Sequence, residues 1–202
     1  MISSLPVPLS GAQRATLDAY VGQMERLNRR VNLVARPADR TDLERHVRHC
    51  LALATRPFEA GAVVVDWGSG GGLPAVPLAV AFPEASFIAV DTVGKKTEAV
   101  KLFARRLGLD NLTAWNGRAE VYDGPAPTRS VSRATAPLAT LWAWHERVAT
   151  PGADLLCLKG GDLRDERAAL DEEWPGLAVE TEGLADMLGA EWADKALIAV
   201  TG

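Results

Sequence analysis

The sequence predicts an α/β fold with a mostly parallel, seven-stranded sheet, helices on both faces and an N-terminal helical arm. Short runs rich in β-branched and other apolar residues are candidate strands, at residues 62–68, 86–91, 112–117, 130–134 and 154–160. Helical segments alternate with them, near residues 74–82, 94–108, 137–148 and 162–173. Strands that alternate with helices in this way usually pair in parallel, with helices covering both faces of the sheet.

Two further strands, at residues 177–181 and 195–201, bring the number to seven. The connection between them is short and interrupted by glycine, so it does not require a long helix. We therefore expect an antiparallel closing hairpin at one edge of the sheet.

Two helices precede the first strand and form the predicted arm, residues 1–60. The first runs from about residue 10 to residue 30, with Ser10 as its N-cap and apolar residues at helical spacing, namely Leu17, Val21, Met24 and Leu27. The second runs from residue 39 to residue 54, after a break at Arg36-Pro37. Residues 61–202 form the main domain, and we expect arm and domain to make one compact unit.

Composition indicates an ordinary globular protein: 202 residues, of which 48% are hydrophobic and 24% charged. We predict a cytoplasmic monomer without a membrane segment, since no leader-like N-terminus and no long apolar run occurs. The two cysteines, Cys50 and Cys157, suit buried thiols better than a disulfide framework. The histidines show no metal-binding spacing, so no metal is predicted.

Charge is distributed unevenly, although the formal net charge is only −4. Residues 1–60 carry nine Lys/Arg and six Asp/Glu, whereas residues 160–202 carry three and eleven. Seven of the nine basic residues fall between residues 26 and 48, namely Arg26, Arg29, Arg30, Arg36, Arg40, Arg45 and Arg48. A nucleic-acid contact and a solvated basic face both fit this pattern.

The most informative stretch is a buried strand that runs directly into glycines before a helix. Glycine allows a sharp turn and a close approach to a ligand, and the helix start offers free N–H donors. The spacing is Asp66-x-Gly68-x-Gly70-x-Gly72 followed by Leu73, rather than the G-x-G-x-x-G of dinucleotide sites. It matches the first motif of Rossmann-like methyltransferases, and a simple tight turn is the alternative.

Asp91 ends the next predicted strand, 25 residues after Asp66. Folds of this type place an acid there to accept hydrogen bonds from a ribose diol. A helix N-cap before Lys95 and Lys96 is the competing interpretation.

The run Asp66–Leu78, DWGSGGGLPAVPL, resembles the loop of the glucose-inhibited division protein B family, the bacterial 16S ribosomal RNA guanine-N7 methyltransferases. That loop reads D-x-G-[TS]-G-x-G-x-P-G-x-P-L. Other landmarks of the family recur in order: Leu27-Asn28, Asn32-Leu33, Arg45-His46, Asp91 with Gly94-Lys95-Lys96, Gly117-Arg118-Ala119-Glu120, Ser132-Arg133-Ala134 and Leu158-Lys159-Gly160. The resemblance spans about residues 20–202 and implies a Rossmann-like class I methyltransferase fold.

The resemblance also implies S-adenosylmethionine as cofactor and N7 of a guanine in small-subunit 16S ribosomal RNA as methyl acceptor. Carried over by position, it implies cofactor contacts from Gly68, Leu73, Ala119, Glu120 and Arg133. With Asp66, Gly70, Gly72 and Asp91 these residues make up the predicted cofactor site. Glu120 could instead be an exposed loop acid, and Arg133 could form a structural salt bridge or pair with an RNA phosphate.

No catalytic acid or base is predicted, because guanine N7 has a free lone pair and loses no proton on methylation. Arg133 is the one possible contributor. A-form RNA hides the N7 edge, so the target guanine must lie in a loop or be splayed out. Trp67 and Trp115 could stack on it, although a packing role suits each better.

Arg45, His46 and Arg48 are the predicted RNA-binding residues of the arm, and His46 could equally be a packed histidine. The resemblance implies that the substrate is small-subunit ribosomal RNA or the assembled ribosomal subunit. Three other functions stay open at this point: methylation of another nucleic acid or a small molecule, cofactor binding by a regulator without turnover, and a nicotinamide-dependent dehydrogenase.

Overall fold

The structure, a computed structural model, describes residues 5–34, 38–133 and 135–202. The predicted Arg36-Pro37 break lies outside these residues, as does Ala134 at the end of the fourth predicted strand.

Seven strands form a single sheet: β1 (Val63–Trp67), β2 (Ser86–Asp91), β3 (Leu112–Asn116), β4 (Arg129–Arg133), β5 (Asp154–Gly160), β6 (Ala178–Gly183) and β7 (Lys195–Thr201). Their order is β3-β2-β1-β4-β5-β7-β6. Strands β1 to β5 pair in parallel, and β7 lies antiparallel to both β5 and β6. The predicted closing hairpin is therefore present, with β7 inserted between β5 and β6.

The helices are α1 (Gly11–Val31), α2 (Arg40–Cys50), α3 (Ala75–Ala81), α4 (Gly94–Leu107), α5 (Leu138–Glu146), α6 (Arg164–Glu173) and α7 (Ala185–Leu188). Short 3₁₀ turns occur at Leu51–Thr55, Ala119–Val121 and Ala190–Trp192. Within the described ranges, no helix has both the length and the apolar character needed to cross a bilayer.

Alternating side chains of the sheet enter two separate hydrophobic clusters. Val64 packs with α1, α2, α3 and α4 on one face, whereas Val65 and Trp67 pack with α5 and α6 on the other. This alternation follows from the period of two along a strand. The α/β fold with helices on both faces of a mostly parallel sheet is thus confirmed.

The two N-terminal helices share the core of the first face. Ser10 caps α1 as predicted: its Oγ accepts from the Gln13 backbone N–H at 3.2 Å, and its own N–H donates to Gln13 Oε1 at 2.9 Å. Tyr20 of α1 meets Phe103 of α4 edge to face, with ring centroids 5.2 Å apart. The boundary that we predict between residues 60 and 61 is therefore bridged by packing.

The second predicted helix, residues 39–54, is not α-helical throughout. It is α-helical only to Cys50 and continues as the 3₁₀ turn Leu51–Thr55. Arg56 is extended, at φ −100° and ψ 100°, because the residue before a proline disfavours the helical region and Pro57 follows. The helix thus ends in a 3₁₀ turn, which is common at the C-termini of α-helices.

We predict that Phe103→Ala lowers the free energy of unfolding by about 3–5 kcal/mol, because it leaves a cavity between α1 and α4 and removes an aromatic pair. Urea unfolding measures the change. The control is Val121→Ala, whose parent side chain is 65% exposed. If Phe103→Ala lowers the free energy of unfolding no more than Val121→Ala does, the contact between α1 and α4 contributes little to stability.

Candidate functional site

The glycine loop lies at the carboxyl end of β1, where the sequence predicts a ligand. Gly68, Gly70 and Gly72 have φ values of 73°, 58° and 92°, a region that other residues rarely adopt. A Cβ on Gly72 would lie 2.5 Å from Val76 Cγ2, and one on Gly68 would overlap Thr135. Both backbone angle and available space therefore require glycine.

The N-terminal arm packs directly on this loop. The Tyr20 hydroxyl donates to the Gly71 carbonyl oxygen at 2.7 Å, and both groups are buried. A Cβ on Gly71 would lie 2.9 Å from Leu33 Cβ, so a larger residue would push the arm away. Residues 11–33 thus help to set the shape of the loop.

Asp91 joins the ends of β1 and β2. Its Oδ2 accepts from the Gly70 N–H at 2.9 Å, and its Oδ1 accepts from the Val93 N–H at 2.8 Å. Lys96 Nζ lies 3.9 Å from Oδ2. The N-cap interpretation does not hold, because Val93 precedes α4 without any side-chain cap. Each carboxylate oxygen has two acceptor positions and uses one here, so one remains for a hydroxyl donor.

Asp66 supports the glycine loop through a buried hydrogen bond. Its side chain lies beneath the loop, and Oδ2 accepts from the Ala75 N–H at the start of α3, at 3.0 Å. Burial raises its pKa to about 7, against the opposing effects of the Ser69 hydroxyl, the Ala75 N–H and the Arg133 charge. Asp66 holds loop and helix together, and its predicted contact with the cofactor stays a prediction.

The other predicted cofactor residues lie at the same edge of the sheet. Ala119 is buried and begins the 3₁₀ turn after β3, and Leu73 is buried in the glycine loop. Glu120 is exposed, and its Oε2 lies 3.9 Å from Arg118 Nε. The loop, Asp91 and the turn at residue 119 therefore follow three adjacent strands, β1, β2 and β3.

Arg133 is the last residue of β4 and meets the arm. Its Nη1 donates to His46 Nδ1 at 3.3 Å, and its Nε is buried without a hydrogen-bond partner among the described residues. Burial, with a smaller contribution from the Arg133 charge, lowers the pKa of His46 to about 4 and that of His49 to about 3. Both imidazoles are therefore neutral at pH 7.

Arg133, Arg45, His46 and His49 line a pocket of about 420 Å³ between α2 and the ends of β4 and β5. We call it the arm pocket. Its remaining lining residues are Asp42, Leu158, Lys159, Gly160, Trp192 and Lys195. Lys159 and Lys195 are paired with Glu166 and Asp194, so the two arginines, which outnumber Asp42, give the pocket its preference for an anion.

Two of the predicted RNA-binding residues differ in their surroundings. Arg45 is exposed, and its guanidinium carbon lies 4.7 Å from the centroid of the Trp192 ring. Arg48 turns toward the C-terminal segment, where Nη2 donates to the Leu188 carbonyl oxygen at 2.5 Å and Nη1 lies 3.6 Å from Glu191. The structure brings Arg45 and His46 to the arm pocket, and Arg48 is not among the residues that line it.

Sequence reasoning missed several residues of this pocket. Trp192 and Lys195 belong to the C-terminal segment, and no local motif marks them. Lys159 lies in the Leu158-Lys159-Gly160 landmark, which by itself predicts no role for the side chain. Its Nζ donates to the Ala136 carbonyl oxygen at 2.5 Å and to Glu166 Oε2 at 2.6 Å, which fixes the segment that follows β4.

The two tryptophans near the loop also have different environments. Trp67 is fully buried, and its ring packs edge to face on Tyr122 at 5.3 Å. It belongs to the core, as the packing interpretation predicted. Trp115 is half-buried beside Gly117, and its Nε1 donates to Asp123 Oδ1 at 3.2 Å. Stacking of Trp115 on a base stays a prediction.

The raised pKa of Asp66 generates a prediction about stability. The folded protein binds this proton more tightly than the unfolded chain, in which the pKa is near its usual 3.8. The stabilisation is therefore complete below about pH 4 and is lost as the pH rises to about 7, at up to about 1.4 kcal/mol per pH unit. Asp66→Asn keeps an acceptor for the Ala75 N–H but cannot ionise.

As the pH rises from about 4 to 7, the wild type should therefore lose stability that Asp66→Asn keeps. The free energy of unfolding of the wild type minus that of the variant should decrease over this range. Urea unfolding across this range measures it. Asp110→Asn, at an exposed position, is the control. A wild-type minus variant difference that stays constant with pH would contradict the assignment.

Comparison with known proteins agrees with this geometry. The family model of the rRNA small subunit methyltransferase G matches residues 13–190. The chain is 52% identical to the ribosomal RNA small subunit methyltransferase G of Salinibacter ruber, over 95% of this chain and 94% of that protein. It is 41% identical to the protein of the same name from Chlorobium limicola, over 81% of this chain and 75% of that protein.

Solved structures share the fold at low sequence identity. An O-methyltransferase from Bacillus cereus, in complex with SAH, superposes with a TM-score of 0.58 at 14% identity, over 97% of this chain and 93% of that one. A ribosomal protein L11 methylase from Lactobacillus delbrueckii subsp. bulgaricus gives a TM-score of 0.61 at 12% identity, over 78% of each chain. The fold is that of class I methyltransferases, and by its sequence the chain belongs to the rRNA small subunit methyltransferase G family.

Proposed function

We propose that this protein is an S-adenosylmethionine-dependent methyltransferase that methylates N7 of a guanine in 16S ribosomal RNA of the small subunit. Family membership over residues 13–190 is the observation that carries the proposal. It rules out the nicotinamide-dependent dehydrogenase, because the relatives are methyltransferases. A regulator without turnover and a different methyl acceptor are the outcomes that an activity assay must exclude.

The groups at the carboxyl ends of β1, β2 and β3 fit the parts of S-adenosylmethionine. Asp91 retains acceptor positions for a ribose diol beyond its bonds to Gly70 and Val93. The glycine loop offers backbone without side chains for close approach, and Ala119 with Glu120 would flank the adenine. The unpartnered Nε of Arg133 suits the carboxylate of the cofactor or an RNA phosphate.

When bound, the cofactor supplies an electrophilic methyl group. Guanine N7 is nucleophilic without losing a proton, so the protein has to align the acceptor rather than deprotonate it. No residue of the arm pocket needs to act as a base, and the neutral His46 suits a positioning role because it accepts a hydrogen bond from Arg133.

The arm pocket is the proposed site of the target nucleotide. It lies on the β4 and β5 side of the glycine loop, whereas the proposed ribose and adenine contacts lie on the β2 and β3 side. Arg45 and Arg133 supply positive charge for a phosphate, whereas Lys195 already pairs with Asp194 at 2.6 Å. Arg48 would act indirectly through its contacts with Leu188 and Glu191. A cytoplasmic monomer stays a prediction of the sequence.

Incubation of the protein with small ribosomal subunits that lack the modification, and with labelled methyl donor, tests the function. We expect 7-methylguanosine in the 16S RNA by nucleoside mass spectrometry.

Asp91→Asn should weaken S-adenosylmethionine binding roughly tenfold to a hundredfold in calorimetry, because a hydrogen bond to a charged group contributes about 1.5–3 kcal/mol. Asp110→Asn is the matched control. Binding of the cofactor without any methylated nucleoside would favour a regulator instead.

Charge reversal in the arm separates RNA binding from cofactor binding. We expect Arg45→Glu to raise the KM for ribosomal subunits roughly tenfold and to leave cofactor affinity unchanged, because each lost phosphate contact weakens binding of any RNA sequence. Arg164→Glu, at an exposed position of α6 on the opposite face of the sheet, is the control. An unchanged KM in Arg45→Glu would remove the arm pocket from the RNA-binding surface.

A further inference from the structure

A second basic depression lies outside the arm pocket, between α1 and the C-terminal half of α4. It has a volume of about 470 Å³, and its charged lining residues are Arg26, Arg29, Arg30 and Arg106. We call it the arginine groove. None of its lining residues is a carboxylate among the residues that the structure describes. Leu102 and Phe103 contribute an apolar floor on which the arginine stems can lie.

The arginines of the groove are poorly neutralised. Arg29 has Glu25 at 3.9 Å and remains 78% exposed, whereas no described carboxylate forms an ion pair with Arg26, Arg30 or Arg106. By contrast, both arginines of α6 have carboxylate partners at short distance, Arg164 with Asp162 and Arg167 with Asp171. The chain therefore leaves these particular charges available, although its net charge is −4.

Their arrangement also opposes local helix stability. Arg26 and Arg30 are four residues apart on α1, where like charges repel each other on one face of a helix. Arg29 and Arg30 lie in the last turn of α1 and Arg106 in that of α4, where the helix dipole favours a cation. The dipole does not account for Arg26, which lies one turn earlier, nor for the meeting of the two helix ends in one groove.

The groove adjoins a second depression that reaches the start of α2, the helix that also lines the proposed site of the target nucleotide. A neighbouring depression of about 790 Å³ shares Arg29 and Arg30 with it and extends to Asp39, the N-cap of α2. Asp42, about one helical turn further along α2, already lines the arm pocket. A chain of polar depressions thus leads from α4, along the end of α1, to α2.

We propose that the arginine groove is an RNA exosite, which binds the sugar-phosphate backbone of the substrate away from the methylated guanine. Planar guanidinium groups match phosphate oxygens in pairs, and four of them along one groove suit a flexible polyanion better than a single small anion. The proposal rests on the proposed function for the identity of the RNA, and its occupant is substrate RNA rather than an acidic protein.

The double variant Arg26→Gln/Arg30→Gln tests the exosite. The KM for small ribosomal subunits should rise roughly tenfold, with kcat and cofactor affinity unchanged, because these arginines touch neither the cofactor nor the target base. Fluorescence anisotropy measures the binding constant for a labelled single-stranded RNA oligonucleotide at several salt concentrations. The logarithm of this constant falls with the logarithm of salt concentration, and the magnitude of that slope should decrease by about 1.4, about 0.7 for each lost phosphate contact.

Two matched variants serve as controls. Arg26→Lys/Arg30→Lys keeps both charges and should retain most of the RNA affinity, which separates charge from folding. Arg164→Gln/Arg167→Gln removes two charges from α6, one exposed and one half-buried, and should leave both KM and salt slope as in the wild type. Circular dichroism of each variant checks that the helices are intact.

The outcomes distinguish this proposal from the proposed function. If the wild type methylates 16S RNA and the Arg26→Gln/Arg30→Gln variant matches it in KM and salt slope, the exosite alone is wrong. If the wild type makes no 7-methylguanosine but the double variant still loses RNA affinity, the methylation proposal fails and the exosite stands. Tighter binding of poly(glutamate) than of RNA at equal salt would make the groove a protein-docking surface and overturn the proposal.

Discussion

The carboxylate of Asp91 is the contact on which the rest of the site depends. It accepts one N–H from the loop after β1 and one from the segment after β2, so two strand ends become a single rigid edge. The glycines at positions 68, 70 and 72 give the unfolded loop high conformational freedom, and the free energy lost in ordering it must be offset by such bonds. Without them the loop would keep only the support of the N-terminal arm, of Asp66 and of its own backbone bonds.

The N-terminal arm supplies the other side of this support. Tyr20 donates a hydrogen bond to the Gly71 carbonyl oxygen, and Leu33 packs against Gly71. His46 accepts a hydrogen bond from the guanidinium of Arg133. The arm is therefore a structural part of the cofactor edge as well as a candidate surface for RNA. One helix pair serves both tasks because α1 ends beside the loop while α2 faces the ends of β4 and β5.

Electrostatics divide the site into two halves. The carboxylate of Asp91 lies at the end of β2, and the cations Arg45 and Arg133 line the arm pocket. A neutral diol and a phosphate would thus be attracted to different halves of one opening. Burial keeps His46 and His49 uncharged, so the positive charge of the pocket comes from groups that stay ionised across the physiological range.

The sequence alone determined the alternation of strands and helices, the glycine spacing at residues 68–72, the acid at the end of β2, and the family, which the comparisons confirm. These are local features, because periodicity, turn chemistry and a motif act over a few residues. Only the tertiary structure decided that Asp66 faces α3, that Arg48 serves the C-terminal segment, and that Trp192 and Lys195 join the arm pocket. Those contacts join residues far apart in the chain, and their partners depend on how the helices pack on the sheet, which no short stretch of sequence encodes.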